Sequence, residues 1–262
     1  PKAQLIVAGA TGVPQGFYRR FAEYASAQGF TTLTFDYRGI SQSKPEQLKG
    51  FSATFLDWAQ YDLAAAVRTM SNSPLPLFMA GHSFGGHAFG LLPNYQQITA
   101  LYTFGTGAGW HGWMPAPERY RIWLFWNMVL PPLVWWHGYL PSSLFGLGEN
   151  LPLGVYQQWR KWCKYPHYFF DDPAMTDITA LYQRINIPIV AASALDDSWA
   201  LPASRDAFMA GYKNALLTRR NINPQEGSGK IGHMGYFRQD ASFLWDEMLA
   251  WFEQQSPVKN QE

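Results

Sequence analysis

The stretch Leu77-Phe78-Met79-Ala80-Gly81-His82-Ser83-Phe84-Gly85-Gly86 restricts the fold of this chain more than any other. A short apolar run, readable as a buried strand, breaks into Gly-x-Ser-x-Gly, and His87 to Leu92 continue as a helix. The flanking glycines answer a steric demand. A strand that turns sharply into a helix leaves no room for side chains two residues either side of the turn. A serine at the tip of such a turn presents its oxygen where a base and hydrogen-bond donors can reach it. The pattern is short, so its weight depends on what the rest of the chain supplies.

What surrounds it is an alternation of strands and helices. Leu5 to Ala8 reads as a buried strand ending in Gly9-Ala10-Thr11-Gly12, and Phe17, Phe21, Tyr24 and Ala25 recur at helical spacing before a stop at Gly29. Thr31 to Phe35 is a second strand, ending in Asp36-Tyr37-Arg38-Gly39, and a helix is predicted from about Phe55 to Met70. Further strands are predicted at Ile98 to Phe104, Pro188 to Ser193 and Ala215 to Thr218, with helices at Pro202 to Gly211 and Ala241 to Gln254. Parallel strands need crossover connections, so the alternation predicts an α/β fold with a mostly parallel sheet flanked by helices. Function in such sheets collects at the carboxyl ends of the strands, where the Gly9, Asp36, Ser83 and Gly105 segments fall.

Between Gly107 and about Leu181 the rhythm breaks. Eight of the twelve tryptophans lie here, together with Pro131-Pro132 and the aromatic run Tyr165 to Phe170. We read residues 108–181 as a mostly helical, aromatic-rich cap inserted into a core made of residues 1–107 and 182–262. Tyr120 to Leu140 approaches the roughly 20 apolar residues of a membrane span. Arg121, Asn127, the proline pair and His137 argue against spanning, and peripheral contact of the cap with a membrane surface is the better reading.

Composition excludes several functions. With 262 residues, 47% of them hydrophobic, the chain can bury one sizeable core. A formal net charge of +1 and 15% charged residues give no basic field for nucleic acid. The single cysteine, Cys163, excludes an internal disulfide and fits a reducing, cytoplasmic setting. No cysteine or histidine spacing suits a metal, and no cofactor is expected. Pro1 leads almost directly into the first strand, which points to a missing upstream piece that could hold a targeting signal. The oligomeric state is not legible.

If Ser83 attacks a carbonyl, a histidine is suited to take its proton, because its unperturbed pKa lies near neutrality. His82 is expected to turn away from the serine, His87 sits on the following helix, and His111, His137 and His167 belong to the cap. His233 lies in Gly232-His233-Met234-Gly235, a glycine-bounded loop between the last strand and the last helix, from which it can reach over the strand ends. An acid that orients the imidazole has two candidates, Asp196 and Asp197, directly after an apolar strand. Asp197 is preferred because an acid further beyond the strand end has better reach.

The order Ser83, Asp197, His233 is nucleophile, acid, base, and on these residues the chain resembles the α/β-hydrolase superfamily over nearly its whole length. Within it the chain is similar to a bacterial branch of predicted hydrolases related to monoglyceride lipases and serine aminopeptidases. The matching pieces are Ala10-Thr11-Gly12, Asp36-Tyr37-Arg38-Gly39, Gly81-His82-Ser83-Phe84-Gly85-Gly86, Asp196-Asp197-Ser198-Trp199 and Gly232-His233-Met234-Gly235. The first oxyanion loop reads Ala8-Gly9 where the superfamily often has His-Gly, and Arg38-Gly39-Ile40-Ser41-Gln42-Ser43 departs from Arg-Gly-x-Gly-x-Ser. Asp36 and Arg38 are expected to hold their loop rather than do chemistry.

The resemblance implies oxyanion donors at the backbone N–H of Phe84 and of either Ala10 or Thr11. The cap tryptophans suggest an apolar pocket over Ser83, with Trp199, Trp110 and Trp113 expected to line it. The expectation is a serine hydrolase that cleaves a small-molecule carboxylic ester or thioester, with an apolar acyl or aromatic group, through an acyl-enzyme. An amidase or peptidase, a carbon–carbon hydrolase and an acyltransferase fit the same residues. A non-catalytic module that binds apolar ligands is the reading from another class.

Overall fold

The computed structural model describes residues 1–227 and 229–256. Six strands, β1 (Ala3–Ala8), β2 (Phe30–Thr34), β3 (Leu77–His82), β4 (Ala100–Phe104), β5 (Pro188–Ala194) and β6 (Leu216–Ile222), form one sheet in the order β2-β1-β3-β4-β5-β6. Every neighbouring pair is parallel. Alternate residues of the inner strands feed two cores. Leu5, Val7, Phe78, Ala80, Tyr102 and Phe104 pack with Phe21, Trp245 and Phe252, from the helices Arg19–Ala27 and Ser242–Gln254. Ile6, Ala8, Leu77, Met79 and Leu101 pack with Trp58, Leu63, Val67 and Phe89 on the opposite face. Burial on both faces is why these strands read as unbroken apolar runs.

The chain leaves β1 toward β2 and then returns to the other side of β1 to make β3, so the crevice between β1 and β3 is a topological switch point. The loop Gly9-Ala10-Thr11-Gly12 and Ser83 both lie at that crevice. The edge strand β6 runs to Ile222, beyond the predicted Thr218, because its polar end Arg219-Arg220-Asn221 lies along an open edge where charged side chains are favoured. The helix predicted from Phe55 to Met70 is present and opens on a capping box: Thr54 Oγ1 accepts from Asp57 N–H at 3.1 Å and the Asp57 carboxylate accepts from Thr54 N–H at 2.8 Å. Its middle, Trp58–Leu63, widens into a π-helix.

Between β4 and β5 the segment 108–181 carries the helices Ala116–Leu124, Leu130–His137, Leu153–Trp162 and Ile178–Gln183. The proline pair stands directly after the π-helical turn Phe125–Val129, at the start of Leu130–His137, and Gly138 closes that helix in the left-handed region. Trp126, Leu130, Val134 and Trp162 belong to the same core as Met79 and Phe84, so the insertion and the sheet share one apolar interior. Glu149 N–H also donates to Gly12 O at 2.8 Å, tying the insertion to the loop after β1. No helix among the described residues is long and apolar enough to cross a membrane.

Candidate active site

Ser83 stands at φ 51° and ψ −110°, in a region that costs a non-glycine residue about 1–3 kcal/mol. Its N–H donates to Phe104 O at 2.8 Å, so the β3–β4 ladder continues through the strained residue and holds it. Gly85 has its backbone pressed against β1: a Cβ there would lie 2.0 Å from Ala8 O. Gly85→Ala is therefore expected to lower stability by about 3 kcal/mol or more, through overpacking against backbone that cannot give. Urea denaturation at unchanged m-value would show it, and a midpoint within error of the parent would refute it.

His233 Nε2 lies 3.0 Å from Ser83 Oγ, and His233 Nδ1 lies 3.0 Å from each carboxylate oxygen of Asp197. The carboxylate only accepts, so Nδ1 carries the proton and Nε2 is left bare toward the serine hydroxyl. Asp197 is fully buried and also accepts from the Tyr236 hydroxyl at 2.7 Å, Trp199 N–H at 3.0 Å and Ala200 N–H at 3.2 Å. Burial works to raise its pKa. The His233 imidazole and these donors outweigh it and hold the carboxyl below the usual range. Asp196 points elsewhere: its carboxylate accepts from Ile231 N–H at 2.9 Å and Gly232 N–H at 3.0 Å, anchoring the loop that carries His233.

The other histidines stand apart from Ser83 Oγ. His82 turns away from it, toward Tyr18 and the backbone of His233. His87 is buried with Nε2 on Gly107 O at 2.7 Å, and burial pushes its pKa down to about 4. His137 bonds Leu133 O and His167 bonds Asp171, and neither lines the cavity at the site. Asp36 accepts from Gln15 and Gln42, while Arg38 pairs with Asp62 at 2.7 Å, so both brace their loop.

Of the expected backbone donors, Ala10 N–H is occupied, donating to the Tyr18 hydroxyl at 2.8 Å. Thr11 N–H and Phe84 N–H have no acceptor among the described residues. The Phe84 ring stacks on Phe55 at 4.2 Å, leaving its N–H as the first free donor of the helix Phe84–Ala88.

A cavity of about 240 Å³ opens over Ser83 and His233. Its apolar wall comes from Phe125, Trp126, Leu130, Leu140, Trp159 and Trp199. Trp199 lines it, whereas Trp110 and Trp113 do not. Those two pack edge to face on each other at 5.6 Å, and the Trp113 indole N–H donates to Pro166 O at 2.8 Å, which fixes the pair away from the opening. Aromatic density in the insertion signalled a pocket without saying which face of each helix turns inward. Sequence reasoning also missed Tyr236, three residues after His233, and Tyr18, whose partners are distant in the chain.

Residues 1–144 match the family described as serine aminopeptidase, S33. No curated protein matches the chain in sequence. Among solved structures, a soluble variant of monoglyceride lipase from Saccharomyces cerevisiae, with a substrate analogue bound, superposes with a TM-score of 0.72 at 14% identity, covering 98% of this chain and 88% of that one. A metagenome-derived lipolytic enzyme gives 0.63 at 17% identity over 97% and 94% of the two chains. A thermophilic esterase from Thermogutta terrifontis gives 0.60 at 16% over 98% and 91%. With the Gly-x-Ser-x-Gly turn and the six-stranded parallel sheet, these findings make the chain an α/β-hydrolase, a member of the serine aminopeptidase S33 family.

Proposed function

We propose that this chain is a serine hydrolase that cleaves a carboxylic ester or thioester bearing an apolar acyl or aromatic group through an acyl-enzyme. The observation that carries the reading is the unbroken line from Ser83 Oγ through His233 to buried Asp197, each link at 3.0 Å, on the floor of an apolar cavity. Ser83 Oγ attacks the carbonyl carbon while His233 Nε2 takes its proton, and Asp197 stabilises the resulting imidazolium. Negative charge gathering on the carbonyl oxygen is met by the free N–H groups of Phe84 and Thr11, where a donor of this kind is worth about a hundredfold to a thousandfold. His233 returns the proton to the leaving alcohol or thiol, then activates the water that releases the acid. Residues 108–181 act as the cap, and Trp126, Trp159 and Trp199 give the acyl group its apolar surroundings. The lone buried Cys163, with burial pushing its thiol up, fits a reducing cytoplasmic setting rather than a second nucleophile.

Turnover of a panel of p-nitrophenyl esters, thioesters and anilides, with fluorophosphonate labelling of Ser83, tests the reading. Turnover of anilides alone would favour an amidase, and the absence of any adduct on Ser83 would favour a non-catalytic binder.

A specific observation adds peripheral membrane contact. Tyr120, Trp123, Leu124, Met128, Trp135, Trp136, Leu144 and Leu147 are all exposed on the insertion, Trp135 and Trp136 at 82% and 74%. Arg121 is the one Asp, Glu, Lys or Arg between Tyr120 and Gly148, and it is paired with Glu118. Leu147 and half-exposed Phe145 also line the cavity, so this surface runs into the mouth of the site. Exposed tryptophans without charge are suited to the lipid interface. The Trp135→Ser/Trp136→Ser variant is expected to lose most sedimentation with phosphatidylcholine vesicles while hydrolysing a water-soluble ester at the parent rate. Equal sedimentation of variant and parent would rule out docking through this face.

A further inference from the structure

Two buried polar side chains beside the site have no part in the chemistry above. Tyr18 ends the short turn Gln15–Tyr18, and His82 is the residue before the nucleophile. The Tyr18 hydroxyl oxygen lies 2.8 Å from Ala10 N and 2.9 Å from His82 Nδ1, and His82 Nε2 lies 2.9 Å from His233 O. Both ends of this line are backbone groups with fixed roles, so every proton on it is assigned. Ala10 N–H can only donate and His233 O can only accept. Tyr18 therefore accepts from Ala10 and donates to His82 Nδ1, and His82 donates from Nε2 to His233 O.

Both rings are wedged against Phe237, at centroid distances of 4.9 Å for Tyr18 and 5.3 Å for His82. Burial pushes His82 down to about 3, so it stays neutral and keeps this single tautomer across ordinary pH. The two loops joined this way come from opposite ends of the chain. One carries Thr11 and its free N–H. The other carries His233, whose peptide is then gripped from two directions, by His82 at its carbonyl and by Asp196 at Ile231 and Gly232 N–H.

We propose that Tyr18 and His82 are positioning residues: a tie behind Ser83 that holds the oxyanion loop and the base loop in register with each other. The proposal rests on the serine-hydrolase reading for its catalytic consequence, though not for the coupling itself. Neither side chain meets Ser83 Oγ within hydrogen-bond distance, so each acts through the loop it holds.

The test uses Tyr18→Phe, His82→Leu, His82→Gln and His82→Asn in the full chain, with p-nitrophenyl butyrate as substrate. Phenylalanine keeps the ring of Tyr18 and removes only the oxygen. Gln places an amide donor near the position of Nε2, and Asn places an acceptor near that of Nδ1. Misplacement of reacting groups by about an ångström costs up to about a hundredfold, so Tyr18→Phe and His82→Leu are expected to lower kcat about tenfold to a hundredfold. KM is expected to stay within about twofold, with His82→Gln recovering more of the loss than His82→Asn. Parent kcat in Tyr18→Phe, or a change confined to KM or to the thermal midpoint, would overturn the proposal.

Amide hydrogen exchange provides a readout independent of turnover. In Tyr18→Phe, protection is expected to fall at Ala10 and also at residues 231–234, which Tyr18 does not touch. Loss at Ala10 alone would refute the coupling even if the chain proved to have no esterase activity. Absence of fluorophosphonate labelling in the parent, with both regions still losing protection together, would sink the hydrolase reading and leave the tie standing. Should His82→Leu fail to fold, the Gln against Asn comparison still decides.

Discussion

Ser83→Ala is expected to lower kcat for p-nitrophenyl esters by about 10⁴- to 10⁶-fold and to abolish fluorophosphonate labelling, with the thermal midpoint little changed. His233→Ala is expected to fall into the same range, because a nucleophile without its base and a base without its nucleophile leave the same deficit. The double variant is expected to be no worse than either single one. The reason lies in the line Ser83 Oγ–His233 Nε2–Nδ1–Asp197, in which Ser83 and His233 act as one unit. Residual turnover would come from the donors at Phe84 and Thr11, which neither substitution touches. Parent-like activity in either variant would remove Ser83 and His233 from the proposed roles.

The second large effect separates two adjacent acids. Asp197→Asn is expected to reduce kcat about 10⁴-fold, because an amide can donate to His233 Nδ1 and so stabilise the wrong tautomer. Asp196→Asn keeps an acceptor for only one of Ile231 and Gly232 N–H, but it leaves the His233–Asp197 contact untouched and is expected to cost less than tenfold. Comparable losses from the two would contradict the assignment. The pH dependence of stability gives a further check. The folded pKa of Asp197 is held below its unfolded value, so the pair's contribution is complete above the ordinary carboxylate pKa of about 4 and is lost as pH falls through the lower folded value. Denaturation midpoints of Asp197→Asn are expected to lack that acid-side decline.

Much of this arrangement was legible in the chain. β1, β3 and β4 are buried on both faces, and their apolar runs end where the Gly9, Ser83 and Gly105 segments begin. The choice between Asp196 and Asp197 was harder, because successive residues of a turn point in different directions. In space Asp197 is buried against His233 and the Tyr236 hydroxyl, whereas Asp196 turns to the loop backbone at Ile231 and Gly232. For Trp110 and Trp113 the sequence offers only aromatic density as a sign of the pocket. Tryptophans that close on each other and tryptophans that line a cavity leave the same trace in a sequence. The π-helical turns at Trp58–Leu63 and Phe125–Val129 change the period over too few residues to register. Tyr18 had no signal at all, since its partners are 8 and 64 residues away.

The loop after β1 has one more consequence. Ala10 is held by Tyr18, Val13 N–H folds back to Ala10 O at 3.2 Å, and Gly12 O receives Glu149 N–H from the insertion. A free loop surrenders about 1–2 kcal/mol of backbone entropy for each residue that becomes ordered. Here that loss falls on folding instead of on the approach to the transition state. In the proposed reaction Thr11 would meet the developing charge from a backbone whose disorder is already gone, and residues 108–181 are one of the parts that removed it.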